Sequence, residues 1–308
     1  MIYTVTLNPA IDRELTIPAL AFDEVLRATA ARVDLGGKGF NVSRMLAVLG
    51  ATSVALGFAG GHAGAMLREG LSELGIETEF VWIAGETRTN VSIVIEGERR
   101  HIKVNEAGPH VGAEDQDALI QRVRQRARRG DWWVLAGSLP PGAAPTLYAT
   151  LIADIQSAGG RVLLDTSGAA LRHGCAAQPL LAKPNAAEAS ELTGLPVGSP
   201  EQALAAAAAM RGIAHVAISM GAAGALLVHE GQGWLATPPK VQERNPIGAG
   251  DSLVAGLTWG LSQGFALPDT IRWGVACGAD AASRPGTSLG SYDDIARLAE
   301  LVEVRAIG

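Results

Sequence analysis

Asn245-Pro246-Ile247-Gly248-Ala249-Gly250-Asp251-Ser252 sets a turn, two glycines and a carboxylate directly before the apolar run Leu253 to Leu261. That run is long enough for a helix, and the turn residues predict its start near Ser252. A helix's first turn carries N–H groups without intrahelical partners, together with the positive end of its dipole. Gly248 and Gly250 let a ligand approach that backbone closely, so the stretch reads as an anion hole suited to a phosphate. A carboxylate beside a phosphate is unfavourable on its own. Asp251 therefore has two readings: a base that takes a proton from a hydroxyl attacking the phosphate, or an N-cap at a glycine-rich turn.

Working outward, strand-like runs at Tyr3 to Leu7, Ser53 to Phe58, Trp132 to Ala136, Arg161 to Asp165 and His215 to Ser219 alternate with helix-like segments at Asn41 to Leu49, Ala63 to Leu74, Ala144 to Ser157 and Glu201 to Met210. Strands apolar on both faces, interleaved with helices, predict an α/β fold with a mainly parallel central sheet covered by helices. Two stretches break the alternation. Asp12 to Val33 and Thr87 to Val104 read as β-rich, the second with Val91, Ile93 and Ile95 alternating with polar residues before a Glu96-Gly97-Glu98 turn. They predict a small half-exposed β subdomain that covers the site or pairs with another copy. No Pro/Ser-rich linker or repeat divides the 308 residues, so one large domain is expected over 1–308.

Composition narrows the chemistry. The net charge is −6, and Arg122, Arg124, Arg126, Arg128 and Arg129 form the one basic cluster, which reads as a solvated helix face rather than a nucleic-acid patch. Cys175 and Cys277 are the only cysteines, and no His, Cys or carboxylate cluster has zinc spacing, so neither a disulfide scaffold nor a caged transition metal is expected. The opening Met1 to Pro9 lacks the basic start and apolar run of a signal peptide, and reads as a buried strand. Met45 to Leu67 carries no charged Lys, Arg, Asp or Glu, yet glycines at 50, 57, 60, 61 and 64 break it into helix end, strand and turn, against a membrane span. A cytoplasmic protein without nucleic-acid or membrane partners is expected.

Further motifs carry polar chemistry. Gly36-Gly37-Lys38-Gly39-Phe40-Asn41 precedes a helix predicted to begin near Val42. Its glycines would admit a sugar against the main chain, Lys38 would pair with a phosphate and Asn41 would grip hydroxyls; a plain glycine-rich helix entry is the alternative. It is no Walker loop, because Gly39 follows Lys38 where Ser or Thr is needed. Gly248-Ala249-Gly250 also fails as a dinucleotide fingerprint: Leu253 occupies the place of the last small residue, and no such motif follows the first strand. Lys183-Pro184-Asn185, with Glu188 and Glu191, follows the apolar Pro179 to Ala182, where an open α/β sheet places ligand groups; it also reads as a simple turn. Ser219-Met220-Gly221-Ala222-Ala223-Gly224 ends another strand and reads either as nucleotide contacts or as a hairpin turn.

In this order these motifs, with the opening Thr4-Val5-Thr6-Leu7-Asn8-Pro9-Ala10-Ile11-Asp12, Thr87-Arg88-Thr89-Asn90 and Ala136-Gly137-Ser138-Leu139-Pro140, resemble the PfkB (ribokinase-like) carbohydrate kinases over nearly the whole chain. The likeness is greatest to the hexose-phosphate branch, which comprises 1-phosphofructokinases, tagatose-6-phosphate kinases and minor 6-phosphofructokinases. It implies a three-layer α/β/α sandwich with a small β lid built from excursions near 12–35 and 86–105, a lid that often forms a dimer contact. By the same resemblance, Asp12, Gly37, Lys38, Asn41 and Ser138 hold the sugar, Arg88 pairs with the phosphate already on it, and Arg27 and Lys103 add phosphate contacts. Lys183, Asn185 and Glu188 face ATP phosphates and Mg2+, and Ser219, Gly221 and Gly224 lie along the nucleotide. Gly248, Ala249 and Gly250 form the anion hole, with Asp251 as general base.

Pro246 stands where many members have Thr or Ser; tagatose-6-phosphate kinases commonly carry Asn-Pro, which pulls the substrate toward them. Some members bind a monovalent cation such as K+ near this loop, where Asn245, Ile247, Ala281 and Gly286 would contribute. The expected activity is ATP-dependent phosphorylation of a phosphorylated ketohexose to a bisphosphate. A kinase of an unphosphorylated sugar or nucleoside leaves Lys38 and Arg88 without a phosphate to meet. A non-catalytic sugar-phosphate sensor would not need Asp251.

Overall fold

The computed structural model describes residues 1–97, 101–242, 244 and 247–308. Glu98 of the expected turn, and Asn245 and Pro246 of the loop before the anion hole, lie outside them. The strands in chain order are β1 (Ile2–Thr6), β2 (Ala10–Ile17), β3 (Ala30–Gly36), β4 (Ser53–Ala59), β5 (Glu77–Trp82), β6 (Arg88–Ile95), β7 (His101–Asn105), β8 (Trp132–Ala136), β9 (Arg161–Asp165), β10 (Leu181–Ala182), β11 (His215–Ser219), β12 (Ala225–His229), β13 (Gln232–Thr237) and β14 (Glu303–Ile307). The helices are α1 (Lys38–Val48), α2 (Gly61–Glu73), α3 (Ala113–Arg126), α4 (Leu147–Ser157), α5 (Gly168–Ala176), α6 (Ala186–Thr193), α7 (Pro200–Ala209), α8 (Ala249–Ser262), α9 (Leu267–Ser283) and α10 (Tyr292–Leu301).

The main sheet runs β14-β13-β12-β11-β10-β9-β8-β1-β4-β5. From β11 to β5 all neighbours are parallel, while β12, β13 and β14 join antiparallel at the other edge. Its strands alternate between two cores, as a period of two requires. Val134 and Ala136 face α1, α8 and α9, whereas Trp133 and Leu135 face α3 and α4. Helices thus cover both faces in three layers, and the chain steps away from β1 in opposite directions toward β4 and toward β8. Such a switch point opens a crevice at the carboxyl ends of the strands. Thr6, Ala136, Asp165 and Ala182 end there.

A second sheet of order β3-β2-β6-β7 is built from the two β-rich excursions, with β2 and β6 parallel and both edges antiparallel. Every residue of β7 is exposed, as expected for a half-covered lid.

Two helix starts differ from expectation for one reason. α1 begins at Lys38, not near Val42, and α8 at Ala249, not near Ser252. In both, a glycine with positive φ, Gly37 at 135° and Gly248 at 81°, makes the turn into the helix. Asp251 is consequently the third helical residue, and the N-cap position belongs to Gly248.

Candidate active site

Four chain segments converge on the crevice. α1 brings Lys38 and Asn41, β9 ends in Asp165, Lys183 follows β10, and α8 opens with Ala249, Gly250 and Asp251. The first intrahelical bond of α8 to Gly248 runs from the Ser252 N–H to the Gly248 carbonyl at 2.8 Å, and no side chain caps this end. The N–H groups of residues 249 to 251 are those an α-helix leaves without intrahelical partners, so the dipole's positive end opens onto the crevice. A Cβ built on Gly250 would stand 3.8 Å from Lys183 Nζ, and one on Gly248 3.9 Å from Asn41 Nδ2. Lys183 and Asn41 therefore flank the helix head.

Asp251, only 7% exposed, accepts a hydrogen bond from Asn41 Nδ2 at 2.8 Å. Burial pushes its carboxyl up to about 6 against the pull of Lys38; Asp165 adds to the push, and the Asn41 donor and Lys183 oppose it. Asp165, 1% exposed, accepts from Lys38 Nζ and pairs with Lys183 Nζ, each at 3.2 Å from Oδ1. Burial pulls the Lys38 ammonium down, but Asp165, Asp251 and Glu188 outweigh it and hold the charge on. Two cations and two carboxylates are thus locked together. Such a cluster suits a polyanion arriving beside a carboxylate that must accept a proton.

A second group of the expected site residues sits on and beside the four-stranded sheet. Asp12 on β2 accepts from Asn90 Nδ2 on β6 at 2.7 Å, across a pair held in register by the parallel β2–β6 ladder. Arg88 donates to the carbonyls of Asn8, Pro9 and Glu106, at 3.1, 3.4 and 2.9 Å. Three of its five N–H donors are spent on the backbone, leaving two for a ligand. Arg88 also lines a cleft of about 610 Å3 with Glu86, Glu106 and His110. Ser138 accepts a long contact, 3.5 Å, from Asn8 Nδ2. Lys103 shares a small cavity with Asp12, Arg32 and Thr287. Arg27 lies on the exposed segment after β2, tied to none of these by a hydrogen bond or ion pair among the described residues.

After β10 and β11, Asn185, Ser199, Ser219, Met220 and Gly221 line a cleft of about 490 Å3. Asn185 caps α6 by accepting from the Glu188 N–H at 2.9 Å, while Glu188 Oε2 accepts from the Asn185 N–H at 2.8 Å. One carboxylate oxygen of Glu188 is left for other partners. Among the described residues no group of three or more His, Cys, Asp or Glu could cage a metal. A lone carboxylate beside a phosphate site fits a hard divalent ion held mainly by phosphates and water. Gly224 has a hairpin role of its own: at φ 92°, a Cβ there would fall 2.0 Å from the Ala236 carbonyl.

Asp165 was not singled out by sequence, although a carboxylate ending Val162-Leu163-Leu164 at a strand's carboxyl end was a usable signal. Neither were Asn8, Arg44 and Thr287, whose polar contacts link distant segments.

The pfkB family carbohydrate kinase profile matches residues 4–294. The chain is 37% identical over 309 aligned positions to the 1-phosphofructokinase of Rhodobacter capsulatus, covering 99% of this chain and 98% of that one. It superposes with a TM-score of 0.92 and 32% identity on Escherichia coli phosphofructokinase-2 in complex with substrates and products, covering 97% of this chain and 98% of that one. The same enzyme in complex with potassium gives the same TM-score, identity and coverage. A kinase of this kind uses ATP and a divalent metal, and the chain belongs to the pfkB family of carbohydrate kinases, in its hexose-phosphate branch.

Proposed function

We propose that the chain transfers the γ-phosphoryl group of ATP to fructose 1-phosphate, giving fructose 1,6-bisphosphate and ADP. The observation that carries this reading is the buried Asp251 on the uncapped head of α8, set opposite Lys38 and Lys183 at the sheet's switch point. The substrate follows the name of the Rhodobacter relative. Tagatose 6-phosphate is the second candidate, favoured by Asn245-Pro246.

In this account Asp251 takes the proton of the attacking hydroxyl while the N–H groups of residues 249 to 251 and Lys183 meet the negative oxygens of the transferring group. Gly248 gives the turn that aims them. Asp12, Gly37, Lys38, Asn41 and Ser138 hold the sugar, and Arg88, with Arg27 and Lys103, receives the phosphate it already carries. Asn185 and Glu188 would hold Mg2+ with the nucleotide, and Ser219, Gly221 and Gly224 would lie along the nucleotide. Bound Mg2+ would neutralise charge on the phosphates. K+ is proposed near Ile247, Ala281 and Gly286, in line with the potassium complex of the neighbour.

Residues 1–308 act as one kinase domain in the cytoplasm, and no helix among the described residues is long and apolar enough to cross a membrane. The lid pairs two copies: Phe22 and Val25, 83% and 82% exposed, and Val104, 58% exposed, offer it an apolar face.

ADP formation measured with fructose 1-phosphate, tagatose 6-phosphate, fructose 6-phosphate and fructose tests the reading. The highest kcat/KM is expected with fructose 1-phosphate. Stabilisation by a phosphosugar without ADP release would overturn it in favour of a sensor, and turnover of fructose alone would favour an unphosphorylated substrate.

A further inference from the structure

Asn41 holds Asp251, and something must hold Asn41, because a primary amide presents a donor at one end and an acceptor at the other. Arg44 lies three residues on along α1, a spacing that puts both side chains on one helix face. Its Nη1 donates to Asn41 Oδ1 at 3.4 Å and to Thr287 Oγ1 at 2.9 Å, and its Nη2 donates to the Thr287 carbonyl at 2.9 Å. A guanidinium can only donate. A flipped Asn41 amide would set N–H against N–H at Arg44 and oxygen against the carboxylate at Asp251. With Arg44 anchored to Thr287, only one orientation satisfies both ends.

We propose that Arg44 is a positioning residue for phosphoryl transfer: by donating to Asn41 Oδ1 it turns the amide's N–H onto Asp251 and keeps that carboxylate ionised and aimed into the crevice. The proposal rests on Asp251 being the base. The groups facing Asp251 are Lys38 and Asn41 from α1, Asp165 from the end of β9 and Lys183 beyond β10. Arg44 itself is faced by Asp34 on β3, which is also paired with Arg32. Arg44 has no hydrogen bond to Asp251 and is joined to it through the Asn41 amide, so its influence passes through Asn41.

The pH dependence of kcat for Arg44→Met, Arg44→Lys, Thr287→Val and Asn41→Ala, alone and with Arg44→Met, tests this. Loss of one hydrogen bond to a charged acceptor shifts its titration by roughly one pH unit, so the acid limb of Arg44→Met is expected to move up by about that much. KM for ATP stays within about two-fold, since the nucleotide contacts are kept, whereas KM for the phosphosugar changes only as far as Asn41 shares in holding it. Arg44→Lys restores part of the limb, and Thr287→Val, which leaves Arg44 in place, moves it less but in the same direction. In the Asn41→Ala background, Arg44→Met adds no further shift.

Equal loss of kcat at every pH, or the same shift with and without Asn41, would overturn the proposal. If Arg44→Met does not fold, Thr287→Val decides, and an unmoved limb there counts against it. Absence of ADP formation by the unmodified chain would strike the kinase reading instead, whereas an active chain with an unmoved limb strikes only Arg44.

Discussion

At the head of α8, burial raises the Asp251 carboxyl to about 6 while Lys38 and the Asn41 donor restrain it, and a base must be ionised to work. Turnover is therefore expected to fall as pH drops through about 6, read from kcat at saturating substrate; a flat profile between pH 5 and 8 would contradict this. The stability sign runs the other way. A folded value above the ordinary 3.8 favours the fold below 3.8, and the advantage is lost as pH rises through about 6, so an amide at 251 is not expected to unfold the chain near neutrality. Asp165 pairs with two lysines, Lys38 and Lys183. Asp165→Ala leaves Lys183, 3% exposed, without its carboxylate, and breaking a buried pair costs about 3–5 kcal/mol, measurable by denaturant unfolding. A neutral result would deny the pair its role. Asp251, Lys38 and Lys183 were legible because each sits in a glycine or proline motif. Asp165, Arg44 and Thr287 were not, because their meaning comes from pairs formed in the assembled crevice, Asp165 with Lys38 across 127 residues and Arg44 with Thr287 across 243, which local pattern cannot carry.

Among elements, the five predicted main-sheet strands stand within a residue or two of the predicted positions, since runs such as Trp132 to Ala136 are apolar on both faces. β10 shrinks to Leu181–Ala182, and the antiparallel edge of β12, β13 and β14 was not foreseen. That edge is set by a hairpin after Ser219 and by the chain's last strand, so its pairing is a long-range choice. Within it, His215 on β11 packs against His229 on β12 with ring centroids 4.6 Å apart and the planes tilted by 34°. Burial, then the neighbouring His229, lowers His215 to about 4. A depressed folded value means the contribution to stability is complete above about 6.5 and is lost as pH falls toward about 4. The Tm of the unmodified chain should drop between pH 7 and pH 5, and His215→Leu should reduce that drop; an equal drop in both would show that the pair is not its source.

At the scale of the molecule, the order of motifs carried the resemblance that implied the three layers, and the motifs that follow β1, β8 and β10 fall where the switch point opens the crevice. The sequence reading had the β excursions cover the site or pair with another copy, and the exposed Phe22, Val25 and Val104 there are the apolar face proposed for pairing. Stable pairing needs about 1,200–2,000 Å2 of buried surface, more than one side chain supplies, yet a charge at the centre of such a patch is costly. The unmodified chain is expected to sediment as a dimer and Val104→Lys as a monomer; a monomeric unmodified chain would remove the lid contact. The central claim is that Asp251 takes the proton from the attacking hydroxyl, and the turnover of Asp251→Asn, measured beside phosphosugar binding by calorimetry, tests it most directly. Turnover lower by about 10² to 10⁴ with phosphosugar affinity retained is the predicted result. Near-normal turnover by the folded variant would contradict it.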